Sequence, residues 1–194
     1  MLVGGRAVNA SRNDASFFDR DFREMLSSQL VSLTGGLIAG SALAAYTDKL
    51  LLLPGMLIIL PGFLEMRGNI SSSFASRLSS GLFLRVINPD KVRSKIIEGN
   101  LLASFFLALF VSLVLGVIAF AFSYVFLATL YPKIILLPLL AGIIANAVEI
   151  PLTLFVTIYL FKKGHDPNNV MGPFVTSTGD ITSIASLLIV LAVL

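Results

Sequence analysis

The chain has 194 residues, a mean hydropathy of +0.92, 13% charged residues and a net charge of +3 at pH 7. Soluble domains carry about 25% charged residues, so this composition excludes an ordinary soluble globule, a disordered chain and a nucleic-acid-binding domain. The absence of cysteine excludes disulfides, thiolate metal sites and thiol nucleophiles. Residues 1–14 contain no apolar run and do not resemble a cleavable signal peptide. We therefore expect an all-α, polytopic membrane protein.

Five stretches are long and apolar enough to cross a bilayer, which requires about 20 residues. In chain order they cover residues 25–46, 50–83, 100–130, 134–161 and 170–194. The division is then a short cytoplasmic segment, 1–24, and a five-helix transmembrane domain, 25–194. Aromatic and charged residues alternate over 17–23, which is typical of an interfacial helix and also compatible with a flexible tail. The third stretch is long for one upright crossing and predicts a single tilted helix.

Small residues recur every four positions in the first stretch, at Gly36, Gly40 and Ala44. This spacing lets two helices approach closely in lipid, although small residues are also ordinary in membrane helices.

The positions of the basic residues along the chain indicate its orientation in the membrane. With a cytoplasmic N-terminus, twelve of the 14 Lys and Arg residues lie inside, Arg67 included, and Lys49 and Lys133 lie outside. The positive-inside rule then predicts an N-in, C-out multi-pass protein of the cell inner (plasma) membrane.

The fifth stretch places a carboxylate deep in the bilayer. Asp180 lies about ten residues, or ~15 Å, into a hydrocarbon core of ~30 Å. Thr176, Asp180 and Ser183 are spaced to share one helical face. Pro173 cannot donate to the carbonyl of Asn169, which leaves a further oxygen free. Such oxygen ligands suit Mg²⁺ or Ca²⁺. The alternative is a structural Asp that is buried against a cation or kept protonated.

The second stretch changes from apolar to polar along its length. Its Pro-Gly steps at 54–55 and 61–62 are expected to kink the chain and free backbone carbonyls, which are tolerated only beside protein or water. A polar stripe follows on one helical face and indicates a wet lining or, alternatively, a solvated cytoplasmic helix; its members are Asn69, Ser73, Ser76 and Ser80. Glu65 and Arg67 are expected to neutralise each other outside any ion path.

The fourth stretch carries Asn146 and Glu149 on one face, beside Pro151, which loosens the helical turn. Glu149 is interpreted either as a group that attracts a cation or carries a proton, or as a helix–helix hydrogen-bonding residue. His165 follows Lys162 and Lys163 in a short loop and is expected to be a surface residue.

Two further motifs are Met66-Arg67-Gly68-Asn69, followed by serines, and Asp166-Pro167 with the later Thr-Ser-Thr-Gly-Asp, which ends at Asp180. The first resembles the Gly-Asn signature in the second helix of the MgtE-type magnesium transporter membrane domain, and the second resembles that family's fifth-helix motif. The resemblance covers about residues 20–194. The number of helices and their orientation match as well.

The resemblance implies a dimer in which the second and fifth helices of both chains line a central cation pore. Asp180 then faces its symmetry mate, the Thr176 carbonyl helps to hold a hydrated ion, and Asn69 contributes from the second helix. Two features differ from the family pattern. Serines replace the usual Gln after Gly-Asn, and only about 24 residues precede the first helix, where bacterial members carry a regulatory region. The family's eukaryotic relatives fuse two such units, so a single unit implies a second copy or a homologous chain, and a separate cytoplasmic regulator is possible.

The expected function is a channel or transporter for a divalent cation, Mg²⁺ above all, with no organic cofactor and no enzymatic activity. The metal-binding candidates are Asp180, Thr176, Asn69, Ser73 and Glu149. Acid should inhibit uptake, because protonation removes charge from the facing carboxylates. One alternative is an exchanger coupled to Na⁺ or H⁺, with Glu149 as a second ion site. A second alternative, an intramembrane aspartyl protease, would need a carboxylate dyad. A third, a purely structural membrane adaptor, is disfavoured because three of the apolar stretches contain polar residues.

Overall fold

The computed structural model describes residues 20–194, and every regular element in that part of the chain is a helix. The prediction of an all-α fold is confirmed. The long helices are α1 (Arg20–Ala45), α3 (Met56–Phe83), α4 (Lys95–Leu127), α5 (Leu136–Lys162) and α6 (Pro167–Val193). A five-residue helix, α2 (Thr47–Leu51), precedes α3, and a 3-10 helix (Pro132–Ile135) precedes α5.

Four of the helical segments are long and apolar enough to span a membrane: α1, α4, α5 with its preceding 3-10 helix, and α6. The 28-residue α3 is long enough but more polar, because it carries Glu65, Arg67, Arg77 and several serines. The described residues therefore support a multi-pass membrane protein, and the predicted fifth crossing depends on how the polar groups of α3 are covered.

The chain breaks between α2 and α3 at the first Pro-Gly step. Gly55 has φ +81°, a left-handed conformation that glycine adopts without strain, and α3 begins at the next residue. The expected kink at this step is therefore a boundary between two helices. Only Pro61 of the second step lies inside α3.

The prediction of one helix in the third stretch is confirmed, although the helix begins at Lys95 rather than near residue 100. The Ser94 hydroxyl caps it by accepting a hydrogen bond from the Ile97 amide at 3.3 Å. Its 33 residues correspond to about 50 Å. The buried face consists largely of small residues, including Ser104, Ala108, Ser112 and Gly116. A Cβ at Gly116 would lie 2.5 Å from the Ile135 carbonyl oxygen, so α4 approaches the start of α5 at backbone distance.

Helix α1 packs along α6 at the periphery of the bundle, and most of its side chains are exposed. The closest approach is at Gly35, where a Cβ would lie 2.7 Å from the Cβ of Ser177. A Cβ at Gly36 or Gly40 would meet nothing within 4 Å among the described residues. The predicted small-residue stripe therefore does not mediate packing inside the protomer. Of the predicted interfacial segment, 17–19 lies outside the described residues and 20–23 is part of α1.

The basic segments meet at one end of the bundle. Lys162 forms an ion pair with Asp90 at 2.8 Å, which joins the end of α5 to the α3–α4 loop. Arg20 at the start of α1 donates a hydrogen bond to the Gly164 carbonyl at 2.5 Å. At the opposite end, Lys133 donates to the carbonyl of Leu194 at 3.1 Å. Contacts therefore hold described basic residues at both ends of the bundle, and the predicted five crossings and N-in orientation stay predictions.

Candidate functional site

Asp180 lies at the centre of α6 and is half-buried. No described residue donates a hydrogen bond to its carboxylate or forms an ion pair with it. An acidic side chain in the middle of a membrane helix is costly and ordinarily marks an ion or substrate path. The structural alternative of an Asp paired with a permanent cation therefore has no support in residues 20–194.

Thr176 and Ser183 lie on the same side of α6 as Asp180 by their spacing, but burial increases along this stripe. Thr176 is exposed and donates its hydroxyl hydrogen bond to the Gly172 carbonyl at 3.0 Å. Ser183 is fully buried, and its hydroxyl has no partner among the described residues. Thr176 and Asp180 thus remain accessible from outside the protomer, whereas Ser183 lies within the bundle.

The carbonyl that Pro173 leaves without its helical partner is occupied. The Ser28 hydroxyl of α1 shares its proton between the backbone carbonyl oxygens of Met25, at 2.8 Å, and of Asn169, at 3.1 Å. The expectation of a free oxygen at Asn169 is therefore wrong. A buried carbonyl is costly without a partner, and here α1 provides one.

Asn69 on α3 lies near the Thr176 level of α6. A Cβ at the neighbouring Gly68 would lie 4.0 Å from the Thr176 hydroxyl. Asn69 is exposed and donates from Nδ2 to Glu65 Oε1 at 3.0 Å. The predicted polar stripe forms an exposed surface of the protomer; its members are Asn69, Ser73, Ser76 and Ser80. The exposed polar groups of α3 and α6 therefore occupy adjoining helices.

Ser73 is engaged by Arg77 rather than by the Thr176 region. Arg77 donates to the Ser73 hydroxyl at 2.8 Å and reaches across to Asn100 and Ser104 on α4, at 2.9 and 2.8 Å. A guanidinium at hydrogen-bond distance repels a cation, so this environment disfavours Ser73 as a ligand.

Glu149 lies inside the bundle, with 0% of its surface exposed. Its carboxylate lies 3.0 Å from the Thr178 hydroxyl and 3.4 Å from the Thr182 hydroxyl, both on α6. Each hydroxyl shares its proton with a carbonyl of its own helix, Phe174 at 2.9 Å and Gly179 at 3.1 Å. The sequence left two interpretations of Glu149 open, and the structure contains the hydrogen bonds between helices that one of them expects.

The expected neutralisation of Arg67 by Glu65 is wrong. Glu65 is exposed beside Asn69, while Arg67 is 1% exposed and donates to Asn146 on α5.

Sequence reasoning missed Arg67, Thr178 and Thr182 as members of this buried network. The spacing of the two threonines, four residues apart on α6, was the available signal. The described residues contain no group of three or more His, Cys, Asp or Glu side chains that could hold a metal ion. Residues 20–194 therefore offer an accessible, unpaired carboxylate at the centre of α6, Asp180, and no chelating cage.

Several apolar helices define the chain as an α-helical multi-pass membrane protein, and it carries a half-buried, unpaired carboxylate beside an exposed polar stripe. The comparison with family models makes the family explicit. The model for MgtE, described as a divalent cation transporter, matches residues 60–190, from the early turns of α3 almost to the end of α6. The chain belongs to this family. No curated protein and no solved structure matches it.

Proposed function

We propose that this chain forms half of a pathway for hydrated divalent cations, with Mg²⁺ as the principal ion. The observation that carries the proposal is the unpaired, half-buried Asp180 carboxylate at the centre of α6. Mg²⁺ gives up its water reluctantly and is usually held through water by one or two carboxylates. One carboxylate from each of two chains supplies that number without a chelating cage.

A second copy of the chain completes the pathway in this proposal. The polar stripe of α3, together with Thr176 of α6, is exposed on the protomer, and exposed polar groups at membrane depth require protein or water as a neighbour. Two copies that meet through these surfaces turn α3 into a fifth crossing that faces water rather than lipid. In this arrangement Asn69, Thr176 and Asp180 face the ion. Glu149 and Ser73 do not, since each is occupied by protein partners.

The basic end of the bundle faces the cytoplasm of an inner (plasma) membrane in this proposal, so the chain is N-in and C-out. An inside-negative potential then favours entry by about 2.3 kcal/mol per charge per 100 mV, twice that for a divalent ion. A passive channel suffices for uptake.

The proposal is tested by Mg²⁺ uptake into proteoliposomes. Asp180→Asn removes the carboxylate at nearly constant volume, and we expect it to reduce uptake at least roughly ten-fold, because the waters of the ion lose a charged hydrogen-bond acceptor. Glu98→Gln is the matched control, because it removes an exposed acid in the first turn of α4. Wild-type uptake by the Asp180→Asn protein would refute the proposed pathway.

The exchanger is separated from the channel by the same liposomes. Uptake that depends on an opposing Na⁺ or H⁺ gradient supports coupled exchange, whereas uptake that follows only the Mg²⁺ gradient and the membrane potential supports a channel. The structure favours the channel, because the Glu149 carboxylate that an exchanger would use as a second ion site is already bound by two hydroxyls.

A further inference from the structure

A buried polar network joins three helices behind Asp180. Arg67 of α3 donates from Nη1 to the Asn146 Oδ1 of α5. One helical turn further along α5, Glu149 accepts from Thr178 and Thr182 of α6. At most 1% of the surface of Arg67, Asn146 or Glu149 is exposed. The network therefore contains one positive and one negative side chain in the interior of the bundle.

The guanidinium of Arg67 is not neutralised by direct contact. Its Nε and Nη2 atoms have no hydrogen-bond acceptor among the described residues, and neither has Asn146 Nδ2. Arg67 and Glu149 interact electrostatically without forming a salt bridge within the described chain. Since screening is weak inside a protein, the positive charge of Arg67 acts over several ångströms.

Glu149 also lies near the backbone of Asp180, since a Cβ at the adjoining Gly179 would lie 4.0 Å from Glu149 Oε1. Its two hydrogen-bond donors, Thr178 and Thr182, flank Asp180 at two positions on either side in α6. Side chains two residues apart on a helix point about 200° apart, so these threonines turn toward α5 while Asp180 turns away from it. Glu149 is thus coupled to Asp180 both by proximity and by the rotation of α6.

We propose that Glu149 is a positioning residue for cation binding: it compensates the buried positive charge of Arg67 and fixes the rotation of α6, which preserves the cation affinity of Asp180. The inference rests on the proposed function and deepens it. Without Glu149, the unopposed guanidinium would repel a divalent cation at Asp180. Removing both charges restores the balance, even though two side chains are changed.

The experiment measures Mg²⁺ uptake against Mg²⁺ concentration in proteoliposomes for Glu149→Gln and for the double variant Arg67→Gln/Glu149→Gln. For Glu149→Gln we expect roughly a ten-fold increase in the concentration that gives half-maximal uptake, with the maximal rate largely retained, because one unit charge is left uncompensated near the ion. The double variant should return to within about two-fold of wild type, since charge balance is restored. Mg²⁺-dependent thermal stabilisation of the purified protein provides a second readout that does not require transport.

Three results would overturn the inference. Glu149→Gln could have wild-type half-saturation, it could lose only maximal rate, or the double variant could be as impaired as the single one, which would indicate a packing role alone. If Glu149→Gln does not fold, the double variant decides, because it leaves no unpaired buried charge and must show wild-type half-saturation. Asp180→Asn is measured alongside. Normal uptake by Asp180→Asn refutes the proposed function. If Asp180→Asn loses uptake but Glu149→Gln has normal half-saturation, only this inference is refuted.

Discussion

Gly142 on α5 lies directly against Ser112 on α4. A Cβ at Gly142 would lie 2.5 Å from the Ser112 hydroxyl and 3.2 Å from its Cβ, both closer than ordinary contact. Gly142→Ala should therefore destabilise the folded protein by about 1–3 kcal/mol, the usual cost of overpacking. The measurement is the loss of monodisperse, folded protein with temperature in detergent.

Two variants make the Gly142 result specific. Gly36→Ala adds the same methyl group where nothing lies within 4 Å among the described residues, and it should leave thermal stability nearly unchanged. Adding Ser112→Ala to Gly142→Ala removes the nearer clashing atom and should recover part of the loss. Equal effects of Gly142→Ala and Gly36→Ala would contradict the packing argument.

The predicted environment of a side chain agrees with the structure where it depends only on the position of the residue along its own helix. Asp180 was predicted from its distance into an apolar stretch, and the structure describes it as half-buried without a partner. Arg67 was assigned to Glu65, two residues away, although its partner Asn146 is 79 positions distant in sequence. A single helix's periodicity does not specify which neighbouring helix covers each face, so pairing between helices requires the three-dimensional structure.

Among the elements, α1 packs along the length of α6, and Ser28 provides a hydrogen bond between the two helices. Its hydroxyl donates to Asn169, the carbonyl that Pro173 leaves without a helical donor. Ser28→Ala should cost about 1 kcal/mol, because a partly buried carbonyl loses its partner. Ser27→Ala is the matched control, since Ser27 is exposed and bonds only to the Glu24 carbonyl within α1. Equal thermal shifts for the two variants would show that the α1–α6 hydrogen bond does not contribute.

Hydropathy predicted which segments of the chain become long helices but placed their ends less accurately. The start of α1 at Arg20 and of α4 at Lys95 precedes the apolar stretches, because charged residues extend a helix beyond the lipid without interrupting its hydrogen bonds. The break at Gly55 was expected to be a kink within one helix. A Pro-Gly step is compatible with a kink or with a boundary between two helices, and the positive φ of Gly55 identifies the boundary. The polar character of α3 was visible in the sequence, and its exposed serine stripe has the predicted period.

For the whole molecule, the question is what covers the polar surface that α3 and α6 leave exposed. Arg20 of α1 and Lys162 of α5 lie at one end of the bundle, where they bond to Gly164 and Asp90, and we expect this end to face the cytoplasm. Two copies with the same polarity can associate only about an axis along the membrane normal. Such an axis brings equivalent residues of the two chains opposite one another, as in most symmetric dimers.

This geometry predicts which positions cross-link. The chain has no native cysteine, so a single introduced thiol reports on one position. Thr176→Cys should give a covalent dimer with a bifunctional maleimide in membranes, whereas direct disulfide formation should be poor, because a water-clad ion between the chains holds the two Cα atoms beyond the ~7 Å limit. Phe110→Cys is the control, since that side chain is 65% exposed on α4 but lies outside the proposed interface. Dimer formation from Phe110→Cys alone would place the contact between chains on α4 and leave the polar face of α3 without the partner that the cation pathway requires.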